Sequence, residues 1–148
     1  MPLKYSSNLL VVQTEIRIRF SEVDSMGVVW HGNYLKYFED GREAFGRKHG
    51  LGYLDFFNNN ILTPLVSIEC NYKLPLIYGD AAIIYTKYID CEAAKLLFEY
   101  KILKKDTNET IVTAKSTQVF LNSNRELMLT FPDFFIEWKR KMGIIRVC

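Results

Sequence analysis

YLKYFEDGREAFGRKHG, residues 34–50, places Tyr34, Phe38, Gly41, Phe45 and His49 at three- and four-residue spacing and gathers Lys36, Asp40, Glu43 and Arg47 on the opposite side. That is the period of an amphipathic helix with one face turned to a core, and Gly50 is the residue type that stops one. On the wet face, Lys36 with Asp40 and Glu43 with Arg47 stand four apart, a spacing for ion pairs worth about 0.2–0.5 kcal/mol each. Gly41 and Gly46 each cost such a helix roughly 1 kcal/mol relative to alanine, which predicts close packing against a sheet at both positions.

Upstream, Val12, Ile16, Ile18 and Phe20 alternate with Gln13, Glu15, Arg17 and Arg19, the period of two expected of a half-buried strand. Downstream of Pro64, Val66, Ile68, Cys70 and Tyr72 alternate with Ser67, Glu69, Asn71 and Lys73. Three further β-rich runs follow, over Ala81–Ile89, Leu96–Ile102 and Ile111–Leu121. The breaks between runs are turn-like: Tyr78-Gly79-Asp80, Asp90 to Ala93, Asp106-Thr107-Asn108 and Asn122-Ser123-Asn124. A last helix is predicted to start at Pro132, bury Phe135, Trp138 and Met142, and stop at Gly143. One long helix followed by four successive strands reads as an α+β fold, an antiparallel sheet with its helices on one face.

The 148 residues fit a single domain, 1–148, and no internal repeat or linker interrupts them. With 49% hydrophobic residues, 24% charged residues and a net charge of +2, the composition is that of a globular protein, with no general electrostatic case for nucleic acid. The longest basic run, Lys139-Arg140-Lys141, reads as the decoration of a helix end. Three cysteines, Cys70, Cys91 and Cys148, show no CxxC spacing, and their odd number argues for a reducing compartment. The apolar run Leu9–Val12 is too brief for a signal sequence, and no segment reaches the roughly 20 apolar residues of a membrane span. A cytoplasmic protein is therefore expected. His31 and His49 have no ligand-spaced partners for a metal, and neither GxGxxG nor a Walker loop is present.

Chemistry concentrates where the helix begins, in FSEVDSMGVVWHGNYLKYFED, residues 20–40. Asp24 stands just ahead of the helix start. A carboxylate so placed can serve as base or nucleophile, while first-turn amides, unpaired within the helix, can polarise a carbonyl oxygen. That pairing points to acyl transfer or hydrolysis. Asp24 can equally cap the turn that begins at Ser25.

The spacing Asp24, Gly27, Val28-Val29, Trp30, His31, Tyr34 resembles the signature of the 4-hydroxybenzoyl-CoA thioesterase-like branch of the hotdog-fold acyl-CoA thioesterases, and Glu39 with Arg42 resembles that family's helical Glu and Arg. The resemblance covers most of the chain. It implies an antiparallel sheet wrapped around a long central helix, and hydrolysis of an acyl-CoA to free acid and CoA, with CoA as part of the substrate and no other cofactor. Asp24 would attack the thioester carbonyl or activate water. The backbone N–H at His31 would polarise the carbonyl, its imidazole orienting Asp24 or water. Gly27, Val29, Trp30 and Tyr34 would line the substrate site. A homodimer or homotetramer with active sites between subunits is implied too, and strand pairing across two chains would hide exposed sheet edges. At position 22, where many relatives carry Asp, this chain has Glu22, and no role is transferred to it.

Several residues keep two readings. Tyr34 can belong to the core or to the acyl pocket, and Trp30, Val28 and Val29 to the site or to plain packing. Glu39 is a rival base, although an ion pair with Arg42 three residues on explains both more simply. Lys73, Lys87, Lys95, Lys101 and Lys104 are available for the phosphates of CoA. An acyl carrier protein in place of CoA, or a non-hydrolytic hotdog that dehydrates or binds acyl groups, are the alternatives.

Overall fold

A computed structural model of the chain describes residues 10–144. Its elements are β1 (Val11–Arg17), a 3-10 turn (Phe20–Glu22), α1 (Asn33–His49), α2 (Tyr53–Phe57), β2 (Leu65–Tyr72), β3 (Ala81–Ile89), β4 (Lys95–Lys104), β5 (Thr110–Val119) and α3 (Asp133–Lys141). All pairings are antiparallel in the order β1-β3-β4-β5-β2, so β1 and β2 form the edges of this five-stranded sheet. No helix among the described residues is long and apolar enough to cross a membrane.

The sheet wraps α1 as the helix's pattern demands. Phe38 and Phe45 are fully buried, Phe38 against Tyr100 at 4.7 Å and Phe45 against Phe98 at 5.1 Å between ring centroids. Burying one such ring contributes about 1.5–3 kcal/mol. Strand residues alternate accordingly: Ala82, Ile84, Thr86 and Tyr88 of β3 face inward, as do Leu96, Phe98, Tyr100 and Ile102 of β4. β2 is mostly exposed on both faces, with only Ile68 and Cys70 half-buried. α3 closes the far end of the core, its Phe135 and Trp138 rings stacked at 5.6 Å.

Gly41 packs on the sheet as expected: a Cβ there would collide with Thr86 Oγ1 and lie 3.2 Å from Ile84 Cγ2. Gly46 does not. Its neighbour is the chain just after the helix, Gly52 Cα 2.6 Å and Leu51 O 3.0 Å from where a Cβ would stand.

Other expectations are corrected. β1 ends at Arg17, and Phe20 belongs to the 3-10 turn, held by the Arg19 amide donating to Glu22 Oε1 at 2.7 Å. The period-two pattern runs three residues beyond the strand itself. α2, five residues long, was too short to register as a helical period. Among the described residues neither Lys36–Asp40 nor Glu43–Arg47 closes to 4.0 Å. Lys139 is no decoration: its Nζ lies 2.6 Å from Asp90 Oδ1, both side chains buried, and 4.5 Å from the centroid of the Phe131 ring. Arg140 and Lys141 do face solvent. Cys148 and the N-terminal part of the Leu9–Val12 run lie outside the described residues, while Cys70 and Cys91 are free thiols.

Candidate active site

Between the 3-10 turn and α1 the chain makes a small closed hairpin. Val23 bridges Val29, the Asp24 amide donates to Val28 O at 2.8 Å, and the Gly27 amide donates to Asp24 O at 2.9 Å. Asp24 Oδ1 accepts from the Met26 amide at 2.8 Å, so one carboxylate oxygen caps the turn as the plainer reading of the sequence holds. Among the described residues the other oxygen has no hydrogen bond. Gly27 takes a φ of +81°, a conformation costly for any residue with a Cβ, and lets the hairpin return.

The hairpin is pinned to the segment before β3. The Val29 amide donates to Leu76 O at 2.9 Å, Val28 bridges Ile77, and the Val29 side chain is buried. Glu22 organises the approach to the helix through its carbonyl, which accepts from the Trp30 amide at 3.0 Å and from Asn33 Nδ2 at 2.8 Å. Asn33 did not stand out in the sequence, although Asn at a helix start is a familiar polar anchor, and Glu22 stood out there only as a departure from the family's Asp, with no role assigned.

What results is a helix N-terminus left open. α1 has no side-chain cap and no acidic residue in its first turn. The His31 carbonyl accepts from the Tyr34 amide at 3.3 Å and from Tyr72 Oη at 3.4 Å, whereas the amides of His31 and Gly32 donate to nothing among the described residues. Both sit at the positive end of the helix dipole. Trp30, half exposed, tilts against the His31 ring at 5.1 Å and lies so close to Gly32 that a Cβ there would overlap its indole. The His31 side chain is exposed. Asp24, Gly27, Val29, Trp30 and His31 are thus brought together on one loop.

Tyr34 points inward. It is buried, its ring 5.6 Å from Tyr37 and 5.5 Å from Tyr72, and burial pushes its phenol up to about 12, with the backbone at Leu76 opposing. Burial, and then the Glu22 carboxylate, raise Tyr37 as well. The expected Glu39–Arg42 pair is absent among the described residues. Arg42 Nη1 donates instead to Tyr100 Oη at 2.8 Å, and that hydroxyl lies 2.6 Å from Ser116 Oγ. Burial raises Tyr100, and Arg42 works against it. Glu39 and Arg42 line a cavity of about 500 Å³ with Leu51, Phe56, Phe98 and Gln118, on the flank of α1 facing β4 and β5.

Comparison with known proteins bears on this arrangement. The family model described as the thioesterase-like superfamily matches residues 18–139, which include the hairpin, α1 and all of β2 to β5. A Bacillus subtilis protein provisionally named acyl-CoA thioesterase YneP is 33% identical over 128 residues, covering 86% of this chain and 92% of its own length. The solved structure of a DHNA-CoA thioesterase from Staphylococcus aureus superposes with a TM-score of 0.75 at 25% identity, covering 92% of this chain and 97% of that one. That of a 1,4-dihydroxy-2-naphthoyl-CoA thioesterase from Synechocystis gives a TM-score of 0.79 at 16% identity over 90% and 98%, a likeness of fold. With a central helix wrapped by one antiparallel sheet and a matched region spanning most of its length, the chain belongs to the hotdog-fold thioesterase-like superfamily.

Proposed function

We propose that the protein hydrolyses an acyl-CoA thioester to the free acid and CoA, with Asp24 as the base that activates water or as the nucleophile that attacks the carbonyl. The observation that carries this reading is the open start of α1: two unpaired amides at His31 and Gly32, on the same loop as a carboxylate with one oxygen uncommitted. Thioester hydrolysis passes through a tetrahedral centre whose oxygen carries negative charge. Unpaired N–H groups at a helix N-terminus stabilise that charge with no rearrangement, and removing one donor of this kind costs about 10²–10³ in rate elsewhere. The Asp24 carboxylate supplies the electron pair, either directly to the carbonyl carbon or by taking a proton from water. The exposed His31 imidazole orients water at the mouth of the site. Gly27 and Val29 shape the loop, Trp30 covers the helix start, and Tyr34 supports it from beneath. No metal or redox cofactor is needed for this chemistry.

The working unit is proposed to be at least a homodimer. β2 is an edge strand, and Val66, 58% exposed, presents an apolar side chain there, which pairing with a second copy would cover.

The test is free-thiol release from short, long and aromatic acyl-CoAs, and from the same acyl groups on an acyl carrier protein, with wild type and Asp24→Asn side by side. Hydrolysis of one or more CoA thioesters, reduced about 10²–10⁴-fold in the variant, is expected. No hydrolysis of any, or equal rates for the two proteins, would refute the assignment.

A further inference from the structure

The peptide that joins His31 to Gly32 is held from outside its own loop. Tyr72, the last residue of β2 and 41 positions further along the chain, donates its hydroxyl to the His31 carbonyl at 3.4 Å. A trans peptide is planar and turns its C=O and its N–H to opposite sides. Fixing the direction of the His31 carbonyl therefore fixes that of the Gly32 N–H, one of the two amides left unpaired at the start of α1. A donor on the carbonyl also draws charge through the amide and strengthens the N–H as a donor in its turn.

The mounting of Tyr72 suits this task. Ile68, Cys70 and Tyr72 alternate onto one face of β2, and on that face the Tyr72 ring meets the buried Tyr34 ring at 5.5 Å. Its backbone is fixed by the register with Val112 of β5, and the next two amides, Lys73 and Leu74, both donate to Ile111 O, at 2.9 and 3.1 Å. The same segment then presents Leu76 O to the Val29 amide, so it holds the hairpin on one side and the His31 carbonyl on the other. Within the loop, the Tyr34 amide shares the His31 oxygen at 3.3 Å, and the Trp30 indole fills the space where a Cβ of Gly32 would stand. Packing on Tyr34 accounts for the Tyr72 ring. It does not account for the hydroxyl, which a phenylalanine would lack.

We infer that Tyr72 is a positioning residue: by holding the His31 carbonyl, its hydroxyl aims the Gly32 N–H at the oxygen that becomes negative as the thioester is attacked. The inference rests on the thioesterase reading and adds to it the group that aligns one of its donors. Acting through the backbone, the hydroxyl has no bond to the substrate to lose. The ground-state carbonyl carries less charge than the tetrahedral oxygen, so a misaimed donor is felt in the transition state and enters kcat in preference to KM. Because Tyr72 stands on an edge strand, the alignment of the helix start is set by the sheet as well as by the helix.

The test is Tyr72→Phe, which keeps the ring and removes the hydroxyl alone. For the acyl-CoA that wild type hydrolyses fastest, kcat should fall at least about 5-fold, short of the 10²–10³ that outright loss of a donor costs, with KM within twofold. The melting midpoint should stay within about 2 °C of wild type. In ¹⁵N-labelled protein the amide resonance of Gly32 should move while those of Gly41 and Gly50 stay in place. An equal kcat in the two proteins, or an unmoved Gly32 resonance, overturns the role and leaves the thioesterase reading intact. So does a KM that rises while kcat holds, since that would set the hydroxyl on the substrate. Wild type that releases no thiol from any acyl-CoA overturns the thioesterase reading and the positioning role together.

Discussion

The two ends of α1 are built in opposite ways. At the C-terminal end the helix is capped and packed. Gly46 O accepts from the amides of Gly50 and Leu51 at 2.9 and 3.0 Å, and the His49 carbonyl accepts from Trp138 Nε1 at 2.7 Å. Phe45 is locked among Tyr88, Phe98 and Trp138, and Arg47 and Lys48 place cationic side chains where the dipole is negative. At the N-terminal end the helix has no cap and no acid, two amides donate to nothing, and a half-exposed tryptophan leans over them. Leaving helix donors unpaired forgoes about 0.5–2 kcal/mol of capping. A fold that packs one end and leaves the other open would separate stability from the proposed chemistry along a single helix.

That separation can be broken at several points. Phe45→Ala opens a cavity in the closed end and should cost about 3–5 kcal/mol. At about 2–4 °C per kcal/mol for a chain of this size, calorimetry should show the melting midpoint fall by roughly 10 °C or more. The rate per folded molecule should hold; a lost rate at full folding would join the two ends after all. Next comes alkaline titration. The Tyr34 phenol is raised from its ordinary 10.0 to about 12, so the folded protein keeps a proton there that the unfolded chain releases. Stability from this group is complete below pH 10 and is lost as pH rises from 10 to 12, by up to about 2–3 kcal/mol. Urea midpoints from pH 8 to 12 should fall more steeply in wild type than in Tyr34→Phe; Tyr37 and Tyr100, raised in the same direction, keep some slope in both.

Smaller effects sharpen the contrast. Gly41→Ala drives a methyl into Thr86 and should destabilise by about 1–3 kcal/mol, read as a lower urea midpoint. Trp138→Phe leaves the His49 carbonyl without its indole donor and should cost about 1 kcal/mol by the same measurement, with thiol release unaffected.

How much of this was legible in the sequence depended on how far apart the partners lie. α1 was read to within a residue at its start because Tyr34, Phe38, Gly41 and Phe45 repeat locally, and the strands because their alternation is local too. The stretch from Asp24 to Tyr34 stood out through its resemblance to a family signature, and the turn at Asp24 that the sequence also offered is a local contact. Long-range partners were not. Arg42 finds Tyr100, 58 positions away, instead of Glu39, three away, and Lys139 finds Asp90. Such choices follow from which strand lies over which turn of the helix, and spacing along the chain carries no record of that. Phe20 was misplaced for a related reason: alternation persists beyond β1, and it is the bond between the Arg19 amide and Glu22 that bends the chain.

The central claim is that the open end of α1 serves chemistry and not stability, and one paired measurement on Asp24→Asn tests it most directly. The amide oxygen of Asn can still accept from the Met26 N–H, so the turn is kept while the charge and the reactive electron pair are lost. Thiol release and the melting midpoint should be recorded on the same preparation. The account predicts a rate lower by about 10²–10⁴ with the midpoint within roughly 2 °C of wild type. A midpoint that drops by many degrees while the remaining folded protein hydrolyses at the wild-type rate would contradict it, and would make Asp24 a structural residue of the hairpin.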